Sequence, residues 1–119
     1  MTVKNYKLRD GVSVAELLKC GFELRGNVFR MSRPLYKYSD SNSTYVYLRL
    51  SVDLNAEIKL GVSVETVSGE FYAPFYNEDY RNQNLVYEKV VENYYNVMDG
   101  LVKRKILNVV KEKKKNGKR

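Results

Sequence analysis

Residues 44–54 read TYVYLRLSVDL and residues 57–67 read EIKLGVSVETV, and these two runs decide the fold. In the first, Thr44, Val46, Leu48, Leu50, Val52 and Leu54 alternate with Tyr45, Tyr47, Arg49, Ser51 and Asp53. Successive side chains of a strand point to opposite faces, so the run predicts a strand with one apolar and one polar face. The second run repeats the pattern, with Ile58, Leu60, Val62 and Val64 on the core side. Pairing apolar with apolar sets Leu50 opposite Val62 and Leu48 opposite Val64. The same register brings Asp53 across from Lys59 on the outer face, a favourable cross-strand pair.

Working outward, Ser68-Gly69 turns the chain into EFYAPFY (70–76), expected as a further strand with Phe71, Ala73 and Phe75 inward. Thr66 then faces Phe71, and Tyr47, Glu65 and Tyr72 form one outer row. A slip of a single residue would reverse those faces. Pro74 lacks a backbone donor, which places this strand at a free sheet edge. Upstream, FELRGNVFRM (22–31) predicts a hairpin around Gly26-Asn27. Arg33-Pro34 and the polar residues 39–43 mark a loop that carries Tyr36 and Tyr38.

Both ends carry helical signals. Ser13 with Glu16 three residues on forms a capping box, and Val12 with Leu17 a hydrophobic staple. Gly21 then stops the helix and Phe22 folds back on Leu17, predicting a short helix over about Val14 to Cys20. After about Gln83, Val86, Val90, Tyr94, Val97 and Leu101 recur at helical spacing, with Tyr87, Val91 and Met98 beside them. Glu88, Lys89, Glu92, Asn93 and Asn96 fall on the other side. Gly100 weakens this helix without ending it. Ile106, Leu107, Val109 and Val110 extend the pattern, so the helix is expected to reach about Lys111. The expectation is an α+β fold: a short N-terminal helix, an antiparallel meander of about five strands, and a long C-terminal helix on its apolar face. Residues 1–111 form one domain and 112–119 a basic tail.

The chain has 119 residues, 44% apolar and 29% charged, enough to bury a core without disulfide or metal. No run of about 18 apolar residues exists, and MTVKNYKLRDG lacks the apolar core of a signal peptide. A single cysteine, Cys20, permits no internal disulfide. A cytoplasmic setting is expected. The net charge of +7 is unevenly placed: residues 103–119 hold nine bases and one acid, leaving 12 bases and 13 acids elsewhere. A protein that tracks a phosphate backbone over its folded surface spreads its bases, and this body is neutral.

Histidine is absent, which removes Ser-His, Cys-His and most zinc chemistry. Cys20, at the end of the short helix, reads as a buried thiol. Glu65, Glu70, Glu78 and Asp79 show no spacing that demands acid–base work. Gly61 within a strand marks a close approach, read as room for tyrosine packing across the sheet. No cofactor, metal site or catalytic residue is expected, and the chain reads as a binding protein rather than an enzyme. Its candidate surface is the outer face, with Tyr45, Tyr47, Tyr72, Tyr76 and Arg49, since tyrosine gives large contact area at low entropy cost. The alternative is that the short helix and loops cover that face. Lys113, Lys114 and Lys115 in KEKKKNGKR (111–119) add salt-sensitive, sequence-independent attraction to polyanions.

KLRDGVSVAELLKCGF (7–22) resembles the opening of small accessory proteins of bacteriophages and prophages of Gram-positive bacteria, and NVMDGLVKRKIL (96–107) is similar to their ends. That resemblance implies an accessory protein of a mobile element, a class that includes inhibitors of host defence such as anti-CRISPR proteins. The expected function is to bind and inhibit or modulate a bacterial protein, or a protein–nucleic-acid complex, through the tyrosine-rich face. The alternative is a nucleic-acid-binding protein in which the basic C-terminus and the sheet aromatics act on one ligand. No membrane partner is expected.

Overall fold

The capping signals at the start are all used. The computed structural model describes residues 5–37, 44–81 and 85–110. Strand β1 (Asn5–Leu8) leads into helix α1 (Val14–Lys19). The Ser13 hydroxyl accepts from the Glu16 N–H at 3.1 Å, and the Glu16 carboxylate accepts from the Ser13 N–H at 2.9 Å. Gly21 takes φ +108, a left-handed value that a side chain would strain, and the Phe22 N–H returns to the Leu17 carbonyl at 3.1 Å. Val12, Leu17 and Phe22 are all buried, so the cap is also a core contact.

The sheet follows as β2 (Glu23–Arg25), β3 (Val28–Lys37), β4 (Thr44–Val52) and β5 (Leu60–Thr66), an antiparallel meander in that order. The expected register holds: Leu50 pairs with Val62 and Leu48 with Val64. Next in line, the Asp53 N–H donates to the Lys59 carbonyl at 2.9 Å. Val46, Leu48, Leu50, Val52 and Val64 are buried on the inner face with Phe29 and Met31. Val62 is on the same face but 38% exposed, and Ile58, in the turn before β5, is 83% exposed rather than in the core.

Three elements differ from the sequence expectation. Arg33-Pro34 is not a loop but part of β3. Beyond Arg30 this strand has no β2 neighbour, so its outer edge tolerates a residue without an N–H. Tyr36 accordingly lies in a strand, while Tyr38 and residues 39–43 fall outside the described residues.

The second difference is EFYAPFY, which forms a short helix, α2 (Ala73–Tyr76), with Pro74 in its first turn where proline has no donor to lose. Phe71 bridges to Glu65, not Thr66, and that one-residue slip exchanges the faces of Phe71 and Tyr72, while Phe75 packs against the core as expected. Phe71 is 69% exposed and Tyr72 only 3%. A 3-10 turn (Glu78–Tyr80) then leads to helix α3.

The third is the chain end. Helix α3 (Leu85–Lys103) stops eight residues before Lys111, and Leu107–Val110 form β6, antiparallel to β1. Lys105 adopts φ +63, the Lys105 N–H bonds the Val102 carbonyl at 2.9 Å, and the Ile106 N–H bonds the Leu101 carbonyl at 3.0 Å. This is the Schellman ending usually given to glycine. Among the described residues the strands thus number six, in a four-stranded sheet and a terminal pair, rather than one five-stranded meander.

As expected, α3 packs on the inner face of the sheet. It buries Val90, Tyr94, Met98 and Leu101, with Val86, Tyr87 and Val97 partly buried beside them. Asn93, read as solvent-facing, is half-buried, and its Nδ2 donates to the Leu35 carbonyl of β3 at 2.7 Å. Tyr6 of β1 donates to Asp99 at 2.8 Å and touches the Tyr94 and Tyr95 rings. Burial first, and then the Asp99 hydrogen bond, push the Tyr6 phenol well above its usual pKa. Leu8, Ile106 and Leu107 belong to the same core as the sheet residues, so the terminal pair is tied to the body. No described helix is long and apolar enough to cross a membrane.

Candidate binding face

The outer face can be built from the register alone. Cross-strand partners share a face, which yields successive rows across the sheet. Glu23, Arg30, Ser51 and Gly61 form one row; Ser32, Arg49 and Ser63 the next; Pro34, Tyr47 and Glu65 the one after, with Phe71 bridged to Glu65. The middle of the face is therefore small and hydroxylic, with arginines standing over it.

Arg49 is the hub. Its Nε donates to Glu65 Oε1 at 2.9 Å and its Nη1 to Ser32 Oγ at 2.9 Å, while its guanidinium lies 5.1 Å from the centre of the Tyr47 ring. Ser63 donates to the second Glu65 oxygen at 2.7 Å. Tyr47, Arg49 and Glu65 are thus brought together as the sequence implied.

The other predicted tyrosines are not. Between Pro34 and Lys37 the β3–β4 register shifts twice, which leaves Leu35 and then Tyr45 without a cross-strand partner. Tyr45 consequently leaves the alternation and is half-buried between the Tyr36 and Tyr72 rings, at 6.4 and 6.3 Å. Tyr72 is part of the core, a correction that follows from the slip at Phe71. Tyr76 is half-exposed but has structural work: its hydroxyl accepts the Val64 N–H at 2.8 Å, and its ring meets Phe71 and Phe75. With the Tyr72 N–H on the Val64 carbonyl at 2.9 Å, residues 70–76 cover this part of the β5 edge. The free edge strand expected over residues 70–76 does not form, and these residues cover β5 at Val64 instead. Lys113, Lys114 and Lys115 lie outside the described residues.

Sequence reasoning singled out Arg49 but missed the arginines that join it. The chain has six in residues 1–102, and four of them, Arg25, Arg30, Arg33 and Arg49, line one shallow depression with Gly21, Glu23, Met31 and Ser32. Arg25 pairs with Glu23 at 3.3 Å, and Arg33 donates to the Ser32 carbonyl at 3.3 Å. The Arg30 side chain makes no ion pair or hydrogen bond with a described residue. A second trough of about 340 Å³ adjoins it, formed by Arg30, Ser32, Arg49, Ser51, Gly61 and Ser63 among others. The body is neutral in sum yet locally basic. The available signal was that Arg30, Ser32, Arg49 and Ser51 share strand parity, but it needs the β3–β4 register to be read.

The thiol of Cys20 is buried, with Arg104 Nη1 at 3.5 Å. Gly61 does mark a close approach, but to Ser51 rather than a tyrosine: a Cβ there would fall 2.5 Å from Ser51 Oγ. Among the described residues no three His, Cys, Asp or Glu side chains gather as a metal set would.

No protein-family model matches the chain, and no curated protein matches it in sequence. A DUF1831 family protein from Lactobacillus plantarum, known from its crystal structure, is similar in fold. Its TM-score is 0.69 at 22% identity, over 92% of this chain and 90% of that one. At that identity the likeness shows the fold alone.

Proposed function

We propose that this chain acts by binding, without catalysis, and that its outer sheet face holds an acidic segment of a partner protein. The observation that carries this reading is the convergence of Arg25, Arg30 and Arg49 of the outer face, with Arg33 from the edge of β3, on one depression in a body whose charges balance overall. Arginine forks match carboxylate and phosphate geometry, and a patch that collects them attracts anions of that kind. The partner implied by the resemblance of the chain ends is a bacterial protein, free or in a complex with nucleic acid, and the corresponding role is to inhibit or modulate it in the cytoplasm. Single-strand binding on sheet aromatics is the second reading. It has less support, because stacking needs open ring faces, Tyr45 and Tyr72 are packed, and Tyr47 lies beneath Arg49. Lysines of the tail add attraction that salt screens.

The test is capture from a bacterial lysate, read quantitatively against variants. The double variant Arg30→Gln, Arg49→Gln should lose the proteins that the wild type retains, with an unchanged thermal midpoint. Deleting residues 112–119 should keep that capture and remove salt-sensitive binding of nucleic acid. Retention by the double variant, or loss on deleting the tail alone, would overturn the proposal.

A further inference from the structure

One constellation on this face is more specific than its charge. Arg30 stands directly opposite Ser51, and Arg49 precedes Ser51 by two residues on the same face of the same strand. Side chains so related are within reach of one another, directly and on the diagonal. Arg49 spends its Nε and Nη1 on Glu65 and Ser32, and its Nη2 bonds no described residue. The Arg30 guanidinium is uncommitted among the described residues. Beneath them, Ser32, Ser51, Gly61 and Ser63 leave the trough floor low, and at Gly61 there is no room for a side chain without moving Ser51.

We infer that this trough is a subsite for a phosphate monoester carried on the acidic partner segment. The inference rests on the reading of the outer face as a binding surface. A carboxylate offers two oxygens in one plane, which a single arginine fork satisfies. Two guanidiniums and the Ser32 and Ser51 hydroxyls, with the Ser63 proton already given to Glu65, supply donors from several directions, which suits the three oxygens and near-double charge of a phosphomonoester. A phosphodiester chain fits less well. Glu23 flanks Arg30 on one side and Glu65 holds Arg49 on the other, so the positive charge is a spot between two acids. A strand with a charge on every nucleotide would run into both.

The full chain is titrated with phenyl phosphate, benzoate and dimethyl phosphate, following the arginine Nε–H signals and the amides of residues 30–32, 49–51 and 61–63 by NMR. Phenyl phosphate should saturate shifts at those positions, with benzoate and dimethyl phosphate at least about tenfold weaker. Arg30→Gln and Arg49→Gln should each weaken phenyl phosphate by about tenfold or more. Arg30→Gln is the variant that disturbs no described contact, and its amide spectrum should remain that of the wild type. Equal affinity for benzoate would refute the inference and leave the acid-binding face intact. So would equal affinity for dimethyl phosphate, which would point to a phosphodiester. If no anion moves the outer-face signals, both the inference and the proposed function fall.

Discussion

Tyr72→Ala and Tyr47→Ala make the sharpest contrast, because the two tyrosines look equivalent in sequence and are opposite in structure. The Tyr72 side chain is 3% exposed and packs in the core beside Tyr45. A buried aromatic side chain removes about 150–250 Å² from water, and at about 25 cal/mol per Å² that is roughly 4–6 kcal/mol as an upper bound. Measured truncations of buried aromatics fall at about 3–5 kcal/mol, so about 4 kcal/mol is expected for Tyr72→Ala. Small domains have total stabilities of about 5–15 kcal/mol, which makes this a large fraction of the whole. In urea unfolding, with a slope of about 2 kcal/mol per molar, the midpoint should drop by about 2 M. Tyr47 is half-buried on the open face and gives up mainly its contact with the Arg49 guanidinium, so Tyr47→Ala should cost about 1 kcal/mol. Equal shifts for the two variants, or a smaller one for Tyr72→Ala, would refute the exchanged placement of Phe71 and Tyr72. A consequence for function follows. Combined alanine replacement of Tyr45, Tyr47 and Tyr72 should destabilise the chain heavily and so confound any reading of binding, whereas the arginine variants should not.

Lys105→Gly should stabilise the chain by about 0.5–1 kcal/mol, since a left-handed non-glycine residue costs roughly 1–2 kcal/mol and part of that gain is offset by the freer unfolded chain. The Arg9 guanidinium bonds the Lys105 carbonyl, which the substitution leaves in place, so a raised urea midpoint is the expected reading and a lowered one contradicts the Schellman ending. At Glu16, the Ser13 N–H on its carboxylate, helped by the Ser13 hydroxyl and Arg9, holds the carboxyl below its usual pKa. A depressed folded pKa gives stability that is present above the unfolded value of about 4.3 and lost as pH falls through the folded one. The wild type should therefore exceed Glu16→Gln in stability at neutral pH and lose that margin in acid. A margin independent of pH would count against the capping box.

The parts legible in the sequence were those whose signal is local. The box at Ser13–Glu16 and the stop at Gly21 need only neighbouring residues, and both appear as read. The β4–β5 register came from apolar residues facing one another across a short turn. Failures share a different cause. Lys105 ends α3 in a conformation that lysine rarely adopts, so nothing in Ile106–Val110 separated a continued helix from a strand. What turns those residues into β6 is β1, about a hundred positions away, offering Asn5 to Val110 and Leu8 to Leu107. Tertiary pairing here overrides a helical pattern that was only extrapolated.

The same reasoning explains why the tyrosines and Arg49 stood out in the sequence and Arg30 did not. Eleven tyrosines stand out in composition, but which side of a strand each occupies depends on register. Register shifts at Leu35 and Tyr45 and a slip at Phe71 removed Tyr45 and Tyr72 from the face. Arg30 and Arg49 lie in the stretch where the β3–β4 pairing runs without interruption from Phe29 to Pro34, so their common face is fixed by the same apolar pairs that build the core: Phe29 with Val52, and Met31 with Leu50. Those pairs cannot slip without exposing the core residues of β3 and β4 together. The arginine pair is thus held by the most strongly determined part of the fold. A recognition site that needs two guanidiniums at a fixed separation requires that kind of rigid support. Tyr45, Tyr72 and Tyr76 lie where the sheet is irregular or has ended, and there they close the core and the β5 edge instead.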